Sequence, residues 1–158
     1  MRGQVCEGVR RMTYQEALAK AEKYCAYQER SQQEVRNRLA AWKVDPEMAE
    51  AVITALITSN FLNEARYAAA FVSGHYRIKR WGRLKITAAL RREGISERCI
   101  RAALKETDFS DYAETIRRVS DGWRRSHPEV PPDAVRWKLR AYLFSRGFEP
   151  DETERVEV

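Results

Sequence analysis

Apolar residues recur along this chain with the period of an α-helix. Tyr14, Ala17, Leu18, Ala21, Tyr24 and Cys25 fall on one helical stripe. Ala49, Val52, Ile53, Leu56 and Ile57 repeat the pattern, and so do Tyr112, Ile116, Val119 and Trp123. No stretch alternates with period two over β-branched residues, so the pattern predicts an all-α protein. Cap signals place the ends. Thr13 with Glu16, and Ser31 with Glu34, have the spacing of capping boxes, in which each hydroxyl takes an otherwise unpaired first-turn N–H. Asp45-Pro46 is an N-cap followed by a proline at the first helical position. Ser96, Ser110 and Asp133 are further N-cap candidates, and Gly94 and Gly147 stand where a left-handed residue ends a helix. The expected helices are 13–28, 31–42, 46–58, 63–80, 83–93, 96–106, 110–126, 133–146 and a short one from about 151.

The helices repeat. Arg83-x-Lys85-Ile86-x-Ala88-x-Leu90-x-x-x-Gly94-Ile95 matches Arg136-x-Lys138-Leu139-x-Ala141-x-Leu143-x-x-x-Gly147-Phe148 at an offset of 53. Val35, Leu39 and Val44 form a weaker copy, with Lys43 at the glycine position. Ile100, Leu104 and Phe109 align with Val52, Leu56 and Phe61 at an offset of 48. The chain is therefore expected to be three tandem three-helix repeats, 13–60, 61–108 and 109–158, after a flexible extension at 1–12. A unit this small buries little alone, so neighbours share apolar surface and form an elongated, curved array that binds along a face.

Composition narrows the function. The 158 residues carry 29 Lys+Arg against 23 Asp+Glu, a net charge of +6. No apolar run approaches the roughly 18 residues of a membrane span, and the first residues lack the apolar stretch of a signal peptide, so a cytoplasmic protein with no membrane contact is expected. Cys6, Cys25 and Cys99 are odd in number and scattered, which argues against a disulfide framework; Cys25 and Cys99 read as small core residues. Phosphate-loop, dinucleotide and nucleophile-elbow motifs are absent. The two histidines, His75 and His127, stand more than fifty residues apart, and no close ligand pairs occur, so neither metal, cofactor nor catalytic residue is expected.

Charge is uneven. Arg77 to Arg98 holds eight basic and two acidic residues; Arg117 to Arg146 holds eight and three; the tail from Glu149 holds five acids and one arginine. A basic strip facing an anionic partner follows. Its candidate residues are Arg77, Lys79, Arg80, Arg83, Lys85, Arg91 and Arg92, extended by Lys138, Arg140 and Arg146. Ser31, Glu34, Gly94 and Gly147 are assigned to holding helix ends. Trp81, Trp137 and Tyr142 lie near the cations and could stack on bases, although core packing explains each more simply. A helix-turn-helix reading would make Ser96–Glu106 the recognition helix, but Arg98, Arg101 and Lys105 are poorly suited to reading base edges.

Four segments in order resemble the RecX regulators of the bacterial RecA recombinase. They are Tyr24 with Arg30-Ser31-x-x-Glu34-Val35-x-x-x-Leu39; Phe61-Leu62-Asn63-Glu64-Ala65-Arg66-Tyr67-Ala68; Gly82-Arg83-x-Lys85-Ile86-x-x-x-Leu90-x-x-x-Gly94-Ile95; and Lys138-x-x-x-x-Leu143-x-x-x-Gly147-Phe148. Ala65, Ala89 and Lys43 depart from the family's usual residues. The resemblance implies a monomeric, non-enzymatic modulator lodged along the groove of the RecA nucleoprotein filament. Such a modulator restrains strand exchange and ATP hydrolysis in recombination and repair, and touches single- or double-stranded DNA weakly. The alternative reading is a sequence-nonspecific nucleic-acid-binding helical protein without a recombinase partner.

Overall fold

The computed structural model describes residues 10–156; most of the extension expected to be flexible lies outside the described residues. Among the described residues the chain forms nine helices and no strand: α1 (Tyr14–Tyr27), α2 (Gln32–Ala41), α3 (Pro46–Thr58), α4 (Glu64–Arg77), α5 (Arg83–Arg92), α6 (Glu97–Glu106), α7 (Tyr112–Ser126), α8 (Pro132–Ser145) and α9 (Pro150–Arg155). The all-helical expectation holds. The chain divides into two compact units, Met1–Asn63 and Glu64–Val158.

In the first unit α1 and α2 pack on α3. The apolar stripes meet in a core containing Ala17, Ala21, Val35, Leu39, Val52 and Leu56. Both capping boxes are closed. Glu16 N–H donates to Thr13 Oγ1 at 3.2 Å while Thr13 N–H donates to Glu16 Oε2 at 2.9 Å. Ser31 and Glu34 exchange the same bonds at 2.9 and 2.8 Å. Asp45 accepts from Glu47 N–H at 3.1 Å, with Pro46 opening α3.

The second unit packs α4 on α5 and α6, and α7 on α8 and α9. One continuous core runs through it, centred on Ile86, Leu90, Ile100, Ile116, Leu139, Leu143 and Phe148, all essentially inaccessible to solvent.

Helices α2, α5 and α8 end alike. Lys43 (φ 60), Gly94 (φ 75) and Gly147 (φ 91) are left-handed. Val44, Ile95 and Phe148 then donate N–H back to the carbonyls of Leu39, Leu90 and Leu143 at 3.0, 3.1 and 3.1 Å. The two residues of each pair are buried in the same core cluster, as the apolar residues of a Schellman cap are. A left-handed lysine carries the Cβ–carbonyl crowding that glycine avoids. Lys43→Gly is therefore expected to raise the stability of the first unit by about 1 kcal/mol, less the extra unfolded-state entropy of glycine. The check is a higher urea midpoint at unchanged m.

Three boundaries depart from expectation. α4 stops at Arg77 instead of residue 80, because Arg80 adopts φ 54 and Trp81 N–H turns back to His75 O at 3.0 Å. α7 starts at Tyr112, not at Ser110. The Asp111 carboxylate accepts from Tyr76 Oη–H at 2.6 Å and so does not cap the helix, while Ser110 N–H bonds Asp108 at 2.9 Å. α8 opens at Pro132, one residue ahead of Asp133. Cys25 is buried and Cys99 half-buried, and burial pushes the Cys25 thiol up to about 11, away from thiolate chemistry.

Candidate functional site

Lys79, Arg83, Lys85 and Arg146 gather around one backbone joint in the second unit. Gly82 stands at the N-cap of α5 and offers no side chain to cap it. The carbonyls at the end of α8 do the capping instead. Gly82 N–H donates to Arg146 O at 2.8 Å and Leu84 N–H to Gly147 O at 3.0 Å; Arg83 N–H donates to Tyr112 Oη at 3.1 Å. The positive end of α5 thus meets the negative end of α8. Contact is so close that a Cβ on Gly82 would lie 2.2 Å from the Gly147 carbonyl carbon and oxygen, and one on Gly147 2.3 Å from Lys85 Cβ.

Charged groups tie the joint. Arg83 Nε donates to Glu149 at 2.7 Å and Arg83 Nη2 to Glu152 at 3.2 Å. Tyr112 Oη–H donates to the other Glu149 oxygen at 2.5 Å. The Arg83 guanidinium lies 4.2 Å from the Tyr112 ring centre. Burial, followed by the bond to Glu149, pushes the Tyr112 phenol well above its ordinary range, so it stays a donor.

Beside the joint the cations crowd. Lys85 is pulled below the ordinary lysine range by partial burial first, then by Arg146, Arg92 and Lys79. Its ammonium sits 4.4 Å from the Trp81 ring centre, and that of Lys79 5.3 Å from it. Trp81 packs on His75, and His75 stacks on Phe71 at 3.7 Å while its Nδ1–H donates to Phe71 O at 2.9 Å. Burial, opposed by that bond and aided by Lys79, lowers the His75 pKa, and the neutral ring accepts from Lys79 at 3.3 Å.

Each of the other expected contact residues has a definite place. Arg80 and Arg92 are exposed. Arg77 is exposed on the side of Asp108. Arg91 is fixed by Glu97 at 2.5 and 3.2 Å, and Arg140 lies 3.9 Å from Glu154. Lys138 is half-buried with its ammonium 5.6 Å from the Trp137 ring centre. Arg146 donates to the carbonyls of Lys79 and Arg80. Arg83 and Arg146 therefore have intramolecular work, whereas Lys79, Arg80, Lys85 and Arg92 form the outward cluster. Ser31, Glu34, Gly94 and Gly147 lie at helix ends. Trp137, expected in the core, is 61% exposed, and Phe144, two turns on, is 62% exposed.

Arg118, Arg125 and His127 stand outside the expected contact residues. With Arg80, Arg146 and Tyr142 they line an open cleft of about 340 Å³. The available signal was spacing: Arg118 and Arg125 are seven residues apart, two turns along one face of α7. Among the described residues no cluster of His, Cys, Asp and Glu is arranged to hold a metal ion, and no helix is long and apolar enough to cross a membrane.

Residues 17–56 match the family model of the RecX first three-helix domain, and residues 63–104 that of its second. The regulatory protein RecX of Leptothrix cholodnii is 35% identical over 140 residues, covering 87% of this chain and 84% of that one. The chain belongs to the RecX family. The RecX of Lactobacillus johnsonii is 26% identical over 140 residues, covering 89% of this chain and 52% of its own, so the chain spans about half the length of that relative. Two solved structures share the fold. A crystal structure of a regulatory protein RecX superposes with a TM-score of 0.79 at 23% identity, covering 91% of this chain and 73% of that one. RecX from Lactobacillus salivarius superposes with a TM-score of 0.74 at 20% identity, covering 90% and 93%.

Proposed function

We propose that this chain is a non-enzymatic regulator that binds the nucleoprotein filament of a RecA-type recombinase and inhibits its strand exchange and ATP hydrolysis. In this reading it acts as a cytoplasmic monomer built from three three-helix units, 13–60, 61–108 and 109–158. The observation that carries it is the cluster of Lys79, Arg80, Lys85 and Arg92. Among the described residues Lys85 feels three positive neighbours and no carboxylate. Folding gains nothing from such a concentration of like charge, and an acidic partner surface relieves it. The regulatory names of the relatives support the same reading.

The test is the charge reversal Lys85→Glu with Arg92→Glu, read by inhibition of recombinase ATPase. Both positions lie outside the ion pairs of the joint, so unfolding stability should stay within about 0.5 kcal/mol of the parent. The half-inhibitory concentration should rise by about tenfold or more, as like charges replace complementary ones across the contact. Unchanged inhibition would remove the cluster from the binding face.

A further inference from the structure

We propose that the outer face of α8 docks an acidic amphipathic helix of a protein partner, whose apolar side chains seat on Trp137 and Phe144. The face shares no residue with the cluster of Lys79, Arg80, Lys85 and Arg92, and the proposal stands whether or not the chain binds a recombinase filament.

Trp137, Ala141 and Phe144 recur at i, i+4 and i+7, which sets them on one line along α8. All three are exposed, while Leu139 and Leu143 on the other side of the same helix are fully buried. Single exposed apolar residues are ordinary on a protein surface. Two large rings about 10 Å apart on one line of a helix form a patch, and such patches mark contact surfaces.

Helix α5 carries charge at the corresponding place. There Arg91 donates to Glu97, at the start of α6, at 2.5 and 3.2 Å. At the offset of 53 these two positions are Phe144 and Pro150, and Leu84 corresponds to Trp137. Where α5 has a solvated ion pair, α8 thus has apolar side chains. Left in water they contribute nothing to folding. Beside Phe144 lies a hollow of about 210 Å³, lined also by Phe148, Pro150 and Thr153, with Arg140 and Glu154 as its charged members. It offers a seat for one large apolar side chain.

Charge selects the occupant. At 3.6 residues per turn, Arg136 and Arg140 stand on one side of the line and Lys138 on the other. α8 carries one acid, Asp133 in its first turn, and Glu154 of α9 lies 3.9 Å from Arg140. An apolar line between cations fits a helix whose own apolar line runs between carboxylates. A second copy of this chain would bring the same cations against the line. A membrane surface needs a wider apolar face than two rings, and the remaining large apolar residues of α8 pack in its own core.

The test uses two fluorescein-labelled model peptides of about 15 residues with leucines along one helical face, one flanked by glutamates and one by lysines. Fluorescence anisotropy with the full chain reads binding. The parent should hold the glutamate peptide at least about tenfold more tightly than the lysine peptide. Trp137→Gln with Phe144→Gln should weaken the glutamate peptide by about tenfold or more, at an unchanged urea midpoint because both side chains are exposed. Arg136→Glu with Arg140→Glu should reverse the preference between the peptides. Undiminished binding by the double Gln variant, or a preference that survives charge reversal, would overturn the proposal. Two further results would overturn it by giving the face another occupant. One is co-sedimentation of the parent with phosphatidylcholine–phosphatidylglycerol vesicles that the double Gln variant loses. The other is a parent dimer in sedimentation velocity that the same variant dissolves.

Discussion

Gly82→Ala is expected to destabilise the second unit by about 3 kcal/mol or more. The new methyl would sit 2.2 Å from the Gly147 carbonyl and 2.4 Å from Phe148 N, all backbone atoms that cannot rotate aside. Relief requires α5 to move off the end of α8. That movement leaves the N–H groups of Gly82 and Leu84 without their 2.8 and 3.0 Å acceptors. It also loosens the seat of Phe148, which is fully buried beside the joint. Gly94→Ala is the matched control. Unlike Gly82, which is extended at φ −75, that glycine is left-handed, and nothing lies within 4 Å of its missing Cβ. It should cost only the conformational term, about 1–2 kcal/mol. Urea unfolding of both variants reads the difference, and equal losses would mean that close approach is not what selects glycine at 82.

Arg83→Glu is expected to cost about 2–3 kcal/mol, between the value of an exposed ion pair and that of a fully buried one. The substitution places a third carboxylate beside Glu149 and Glu152, and Tyr112 keeps only one charged partner in place of two. Lys85→Glu, two residues on, touches no ion pair and should leave stability within about 0.5 kcal/mol. Thermal unfolding separates the two: Arg83→Glu alone should lower the transition. If both variants unfold alike, the clasp of Arg83, Glu149 and Tyr112 contributes nothing to folding.

Most of the helical frame was legible because it rests on local rules. Apolar spacing, two capping boxes and the Asp45-Pro46 pair each act within a few residues, and each appears where the pattern puts it. Gly94 and Gly147 were legible for the same reason, and Lys43 was recognised as their counterpart before its left-handed backbone was known. Long-range chemistry was not legible. Arg83 and Glu149 stand sixty-six residues apart, so a basic window could not reveal that Arg83 answers the acidic tail. Tyr76 drew Asp111 away from capping α7 through a bond that also spans two helices. The start of α5 at Gly82 is capped by the end of α8, more than sixty residues on, which no local rule announces. Trp137 defeated the core expectation because periodicity marks an apolar face without saying whether another element covers it. Arg118 and Arg125 enter the pattern only as members of a basic stretch, because no local rule shows that Arg80 and Arg146 line the same cleft.

The proposed binding of a recombinase filament by the cationic side of the second unit decides the function. It is tested most directly by sedimenting the wild-type chain with recombinase-coated single strands and with bare strands of the same length. At about 200 mM salt, purely electrostatic binding to a bare strand is strongly weakened. Coated strands should still pull the chain down with an affinity at least about tenfold higher than bare ones. Equal affinity for the two, at that salt and below it, would contradict the account and leave a protein that reads nucleic acid alone.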